Sequence, residues 1–510
     1  MKNQEEQAKK SGGFLKSIER MGNKLPHPNY IFMILFLVVI VVSGLCGNIT
    51  FMHPGTGEEQ VINSLFNVAG FKWVLKTMTD NFIRFRPLGL VLTTSLGIGL
   101  AEESGLLKTA LQSSIVNAPP MLITGIVVFS AIMGNIAGSA IFVIIPPLAA
   151  MVFKAVGKHP IAGLAAGFGG VAAGLSANLI ITPTDILTSG ITETAAQIMD
   201  PNFKVNPAVN WYFMAASTVV LTIVGTIINE KIVEPKLGKY DPSMAEEDSG
   251  DDKALMEVSS DQKKGLKYAG IAGLIYIIII AAMVVPSNGI LRSDSGTVVP
   301  SPFLDSIAPI FTFLFATLGI AYGIGAGTIK KSNDIIKFLA KSISGLAGFI
   351  VLCFFAAQFV EAFSYTNLGL YLSVQGATFL EVSGLKGVPL IICFLIIIAV
   401  LDVFIGSASA KWVLISPIFV PMFMRVNLSP FFTQAAYRIA DSVTNAVSPL
   451  EPFMPFIIAT AQKYDKRAGL GTVISTMLPI ALGYFITWSL LLIVWYLFNI
   501  PLGPGAGVFM

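Results

Sequence analysis

The chain has 510 residues, of which 54% are hydrophobic and 12% charged, with a mean hydropathy of +0.74; a soluble domain carries about 25% charged residues, so a soluble module is excluded and a polytopic membrane protein indicated. The formal charge of +3 is small and dispersed, which gives no nucleic-acid footprint. Cys46, Cys353 and Cys393 lie in or beside apolar segments without metal-ligand spacing and read as packing residues.

Residues 1–29 are mostly polar, and the first apolar run is followed by no small-residue cleavage pattern, so the N-terminus reads as a cytoplasmic tail rather than a removable signal. Runs near the roughly 20 residues that cross the hydrocarbon core occur at 30–47, 87–101, 161–181, 209–228, 268–285, 304–320, 343–363, 431–447 and 470–497. They predict nine transmembrane helices. The basic stretch 71–86 reads as an interfacial amphipathic helix. Two further apolar regions are interrupted, one at 134–139 and the other at 405–409, which leaves arms of roughly 13 to 16 residues, below a full span. Each reads as a re-entrant hairpin, whose tip is tolerable at membrane depth only where it is buried in protein or lines a watery cavity.

These two regions repeat each other. Ser139-Ala140 and Ser409-Ala410 are each followed, after five residues, by a proline-bearing pair, Pro146-Pro147 and Ser416-Pro417. Pro160 and Pro430 then stand at the same interval of 21 residues from each serine, and both copies lead into a polar break, 176–183 and 442–449. Corresponding interrupted hydrophobic segments are the best sequence pointer to a secondary transporter and its substrate site. The predicted fold class is therefore an all-α polytopic membrane protein with nine transmembrane helices and two opposed re-entrant hairpins in inverted repeats. The first half spans 30–229, with hairpin 1 at about 120–155 and a broken helix at about 161–190. A flexible acidic linker, 230–267, leads to the second half, 268–510, with hairpin 2 at about 388–424 and a broken helix at about 431–460.

Lysine and arginine concentrate in the N-terminal tail, the linker, 330–341 and 463–467, whereas the 287–303 loop has only Arg292 and the stretch after Leu497 has none. Cytoplasmic loops carry the basic excess, so the N-terminus is expected in the cytoplasm and the C-terminus outside, with the first hairpin cytoplasmic and the second on the outer side. Lys72, Lys76, Arg84 and Arg86 fall outside and run against the rule.

In the second copy Arg438, Asp441, Asn445 and Ser448 share one helix face. A charge at the bilayer centre costs about 2.5 to 3.5 kcal/mol on insertion scales, so two of them ask for a role. Either Arg438 and Asp441 pair to fix packing, or Arg438 receives a substrate carboxylate while Asp441 joins a cation or proton site. The prolines of 448–452 break this helix; its counterpart is Ser176-Ala177-Asn178 with Thr182-Pro183-Thr184-Asp185. Unwound backbone and helix ends coordinate cations and orient anions in transporters, which makes Asn178, Thr184 and Asp185 candidate ligands. The alternative for Asp185 is a capping role at the next helix start. At the tips Asn135, Gly138 and Ser139, and likewise Gly406, Ser407 and Ser409, permit close backbone approach. Trp412 could stack on an aromatic substrate or simply pack. Asp402 lies in a hairpin arm, and Gly163, Gly167, Gly170 and Gly174 form a small-residue packing stripe.

The stretches 24–28 (KLPHP), 156–164 (VGKHPIAGL), 210–214 (NWYFM), 417–423 (PIFVPMF), 438–442 (RIADS) and 501–505 (PLGPG) together resemble the p-aminobenzoyl-glutamate transporter family, AbgT, over nearly the whole chain. The resemblance implies a homodimer of nine-helix protomers with two opposed hairpins, and functional positions at Asp185, Trp412, Pro430, Arg438 and Asp441. It implies import of p-aminobenzoyl-glutamate or export of sulfonamide-type antimetabolites, driven by a proton or sodium gradient. Where it implies an Asn in a cation site this chain has Asp402, a departure that bears on which ion is coupled and how many.

The sequence thus predicts a homodimeric, ion-coupled transporter of the cytoplasmic membrane for an anionic aromatic substrate, with sodium or a proton as coupling ion, no other cofactor or metal and no nucleic-acid partner. Arg438, Trp412, Ser139, Ser409, Pro430 and Asn178 are the expected substrate residues, and Asp185, Asp441, Asn135, Thr184, Asn445 and Asp402 the expected coupling residues. No P-loop or Rossmann signature points to ATP. The rivals are a drug-efflux pump, an intramembrane hydrolase using Asp185 and Asp441 as a carboxylate pair, and a channel. The charge asymmetry makes one prediction directly: single cysteines at Ser249 and Ser295 will react with impermeant maleimide from opposite faces of the membrane. Labelling of both from one face would remove the topology.

Overall fold

The computed structural model describes residues 28–52, 58–116, 119–245, 257–402 and 405–510. The side chains of Ser139 and Ala140 and residues 246–256 of the acidic linker lie outside the described residues. The chain is helical apart from one two-stranded antiparallel ribbon that pairs Thr50–Met52 with Glu59–Val61.

The first half opens with α1 (Pro28–Leu45), α2 (Val68–Arg84), α3 (Arg86–Glu103) and α4 (Leu106–Val116). Helix α2 is the stretch read as interfacial, and it is mostly exposed, with Trp73, Val74 and Phe82 turned to the core. The first copy of the repeated motif follows as α5 (Ile123–Met133), a 3-10 turn (Gly134–Ala140), α6 (Ile141–Ala155), α7 (Pro160–Ala172), an irregular break and α8 (Pro183–Ala196). Gly138 has φ +58° and ψ −138° at the tip, a conformation that only glycine adopts at low cost. Then come α9 (Trp211–Ile228), the short α10 (Glu234–Leu237), α11 (Ser260–Val284), α12 (Pro302–Asp305), α13 (Ile307–Ala326), α14 (Ser332–Ser344), α15 (Ala347–Tyr365) and α16 (Leu368–Ser383). Helix α11 begins inside the stretch read as linker, because Ser259 and Gln262 form a capping box there.

The second copy is α17 (Gly387–Asp402), α18 (Ala408–Arg425), α19 (Pro430–Asn445), a break and α20 (Met454–Gln462); α21 (Leu470–Leu497) completes the chain's helices. The corresponding prolines do the same job in both copies. Pro160 and Pro430 are the first residues of α7 and α19, preceded by the caps His159 and Ser429, and proline suits that position because its missing N–H is unneeded there.

Among the described residues, seven helices are long and apolar enough to cross a membrane, or eight if the bent α2–α4 stretch is one span. That differs from a count of nine. Helices α7 and α19 are too short or too polar to qualify alone because each ends at a break, while the first hairpin arm with its 3-10 turn, Pro120–Gly138, does qualify.

Burial separates the helices by role. Every residue of α7 is buried, and so is nearly all of α19, whereas α11 buries only Gly265, Ala269 and Gly273 and exposes Ile271, Leu274, Ile277 and Ile278. Such an apolar exterior is what a bilayer solvates. The two breaks therefore lie at the protein's centre, with both arms of each hairpin packed on the helix that follows it. Close packing there requires glycine: a Cβ on Gly163 would lie 2.4 Å from the Ala149 carbonyl oxygen of α6, and one on Gly170 would lie 2.6 Å from the Ala131 Cβ of α5. Gly170→Ala is expected to destabilise by about 1–3 kcal/mol through overpacking, read as a lowered Tm in detergent. Gly270→Ala, where a Cβ meets nothing within 4 Å, should leave Tm unchanged or slightly raised.

Candidate substrate and ion site

The irregular backbone after α7 ends at Thr182, which caps α8 in a capping box: the Thr182 hydroxyl accepts from the Asp185 N–H, and Asp185 Oδ2 accepts from the Thr182 N–H and hydroxyl, each at 2.7 Å. The other carboxylate oxygen, Oδ1, accepts from Arg438 Nη1 at 2.6 Å. Arg438 Nη2 donates to the Ser176 carbonyl at 3.0 Å. One guanidinium of the second copy thus binds both sides of the break in the first. Asp185 is at once the helix cap, as one of its two readings has it, and the ion-pair partner of Arg438, which neither reading included. Arg438 is 1% exposed and Asp185 5%. Burial of this depth leaves a charge in need of a partner, and the N-terminus of α8 adds its own favourable field at the carboxylate.

The packing pair between Arg438 and Asp441, one of the two readings of that stripe, is not formed. Asp441 turns instead to Lys411, whose Nζ lies 2.7 Å from Asp441 Oδ1, and the Tyr437 hydroxyl lies 3.0 Å from the same oxygen. Lys411 Nζ also pairs with Asp402 Oδ1, and Asp402 Oδ2 accepts from the Thr444 hydroxyl. Lys411 and Asp402 are fully buried. The reason is positional: α17, α18 and α19 converge behind the second tip, and Lys411, one turn into α18, is the cation among the described residues that meets Asp441 there, while Arg438 faces the first copy.

Trp412 does not present its face to open space. Its ring stacks on Tyr437 with centroids 4.4 Å apart, and its Nε1 donates to the Thr192 hydroxyl at 3.0 Å. Thr192 donates to Gln434 Oε1 at 2.6 Å, and Gln434 Nε2 donates to Asn210 Oδ1 at 2.8 Å. This buried chain ties α8 to α18 and α19. Phe142 of α6 stacks on Phe453 of the second break, 4.6 Å between centroids, so each copy's motif reaches into the other's break.

Other expected residues take varied places. Pro430 is buried at the start of α19. Ser409 is half-buried, its hydroxyl 3.3 Å from that of Ser407. Asn445 is buried on α19, and Thr184 is half-buried beside the α8 cap. The backbone of Ser139 lies in the first tip, but its side chain is outside the described residues. Asn135 Nδ2 donates to the Ile132 carbonyl at 3.1 Å while its Oδ1 is buried without a partner. Both side-chain polar atoms of Asn178, the Ser176 hydroxyl and Arg438 Nε are also buried without a partner among the described residues. Buried polar groups are nearly always satisfied; these orphans belong to the first tip, the first break and the guanidinium that touches it, and others lie at Ser416, Arg425 and Tyr484.

A cleft of about 500 Å³ opens beside the start of α19, lined by Arg86, Lys204, Asn206, Ser301, Asp305 and Phe431. Its basic residues meet Glu193, a buried carboxylate that pairs with Arg86 and accepts from the Val205 N–H at 2.8 Å. Sequence reasoning missed Lys411, Tyr437, Thr192, Gln434 and Glu193. Lys411 had a readable signal, a single lysine inside an apolar hairpin, and Gln434 extends the Arg438 stripe by one turn. Thr192 and Tyr437 carry none.

Asp185 and Asp441 each hold a different cation, so they are not a proton-sharing pair. The model of the "AbgT putative transporter family" matches residues 13–510. The p-aminobenzoyl-glutamate transport protein of Escherichia coli strain K12 is 40% identical over 498 residues, 97% of either chain. Among solved structures, the YdaH transporter of Alcanivorax borkumensis superposes with a TM-score of 0.89 at 36% identity, covering 94% of this chain and 100% of its own. MtrF of Neisseria gonorrhoeae, described with a class of antimetabolite efflux pumps, gives 0.91 at 41% identity, covering 97% and 100%. These relatives are transporters and not enzymes, which removes the hydrolase.

The ion pair between the copies is testable. Removing one partner of a buried pair costs about 3–5 kcal/mol, so Arg438→Met alone should lower Tm sharply. Arg438→Met with Asp185→Leu should recover much of the loss, since no charge is left unpaired. Additive losses in that double-mutant cycle would show that the pair carries no coupling.

Proposed function

The chain belongs to the AbgT transporter family, and from that premise we propose that it is an ion-coupled secondary transporter of p-aminobenzoyl-glutamate or a related folate catabolite. The proposed architecture is nine transmembrane helices and two opposed re-entrant hairpins in inverted repeats, in a homodimer of the cytoplasmic membrane with the N-terminus inside and the C-terminus outside. The observation that carries the reading is the buried Arg438, bound on one edge by Asp185 and the Ser176 carbonyl, with Nε unpartnered beside the broken backbone. A guanidinium is the side chain best shaped for a carboxylate, and the substrate has two.

In this reading an arriving carboxylate competes with Asp185 for Arg438, and the substrate's aromatic ring packs near Pro430 and the Trp412–Tyr437 stack. Ser139, Ser409 and Asn178, from the two tips and the first break, supply polar contacts. The orphaned oxygen of Asn135, with Asn178 and the half-buried Thr184, makes the first copy the place for a coupling sodium ion; Asp185, released when the substrate engages Arg438, is the group whose charge a cation or proton would balance. Asp441, Asn445 and Asp402 are the second copy's contribution to coupling, through a proton rather than a sodium ion, since Lys411 already pairs with both carboxylates. The similarity to MtrF favours a second reading, export of sulfonamide-type antimetabolites, in which the same anion site faces the cytoplasm when loaded.

Proteoliposome flux of labelled p-aminobenzoyl-glutamate under separately imposed sodium, proton and null gradients tests the proposal: uptake driven by one gradient and not by the null supports it, and flux of a labelled sulfonamide alone would favour export. Arg438→Lys is expected to weaken binding of p-aminobenzoyl-glutamate by about tenfold or more, the worth of a charged hydrogen bond. An uncharged aromatic analogue should lose far less. Equal losses in binding titrations of the two ligands would take Arg438 out of the substrate site.

A further inference from the structure

Three helices converge on one ammonium group behind the second tip. Lys411 of α18 meets Asp402 of α17 and Asp441 of α19, and the neighbouring oxygens belong to the Tyr437 and Thr444 hydroxyls, each bonded to one of those carboxylates. Glu451, buried in the break after α19, adds a further carboxylate to the field around Lys411. Two carboxylates and two hydroxyls, buried except for the half-buried Thr444, are the kind of oxygen set that binds a hard monovalent or divalent cation. Here a cation is already supplied by the chain: an ammonium has the same single charge as a sodium ion and three donors for those oxygens.

We propose that Lys411 is a tethered cation occupying the place between Asp402 and Asp441 that would otherwise bind a free sodium ion. The second copy of the motif therefore contributes no sodium site, and any sodium that is coupled binds elsewhere. The inference rests on the reading of the chain as an ion-coupled transporter and identifies a residue that sets its ion preference. It makes removal of the ammonium a gain of function for ion binding: with Lys411 truncated, the two carboxylates face each other across a space, and a diffusible cation relieves their repulsion wherever a shared proton does not already do so.

The test uses purified full-length protein in detergent, without substrate, melted in sodium chloride and in choline chloride at equal ionic strength. Lys411→Ala should gain a sodium-specific rise in Tm of about 4 °C beyond any shown by the wild type, because a ligand that binds only the folded state raises its stability. A folded Lys411→Ala with the wild-type sodium response would overturn the proposal. If Lys411→Ala does not fold in either salt, Asp402→Asn decides, since it keeps the shape and leaves Lys411 paired with Asp441. Any sodium response of the wild type should survive Asp402→Asn, and its abolition would place sodium at Asp402 and refute the tethered cation. Absence of p-aminobenzoyl-glutamate uptake by the wild type would count against the substrate reading alone, since the melting measurements contain no substrate.

Discussion

The structure depends on one buried ion pair, Arg438 with Asp185, 2.6 Å apart. Neither charge could stand alone at this depth, and each partner fixes a different element. Asp185 caps α8 and so sets where the first break ends; Arg438 reaches from α19 to the Ser176 carbonyl and so fixes where that break begins. The irregular backbone between them has few internal hydrogen bonds to define its path. Its shape is imposed from the other copy.

The two copies are alike in plan and unequal in charge. The central cations Arg438 and Lys411 come from the second copy, whereas the first contributes Asp185 and the unpartnered buried atoms of Asn135, Ser176 and Asn178. The second copy's carboxylates are satisfied from within, by Lys411, and its tryptophan is stacked and hydrogen-bonded. The first copy's tip and break keep buried oxygens and nitrogens that have no partner among the described residues.

What the sequence made legible follows from backbone chemistry. Proline at 160 and 430, glycine at 138 and the clustered polar residues of the breaks constrain the chain locally, and the helix boundaries fell where those residues place them. The stripe of Arg438 and Asp441 was legible as well, since charge in an apolar helix is conspicuous. Partner choice was not. Residues three apart on one helix suggest a mutual pair, yet each side chain leans to a different neighbouring helix, and only the three-dimensional convergence of α17, α18 and α19 brings Lys411 to Asp441. The length of a helix within a span was hidden for a similar reason: a helix of 13 residues such as α7 is continued by irregular backbone that hydropathy alone reads as more helix.

The division of the central ion pair between the copies has an electrical consequence. Its positive end is carried by α19 and its negative end by α8, so any displacement of one copy past the other along the membrane normal carries opposite charges in opposite directions. Their contributions to work against the transmembrane potential then add, at about 2.3 kcal/mol per elementary charge for a full crossing of 100 mV. A cycle built on such a displacement would feel the membrane voltage through the protein's own charges, even when the transported species together carry none.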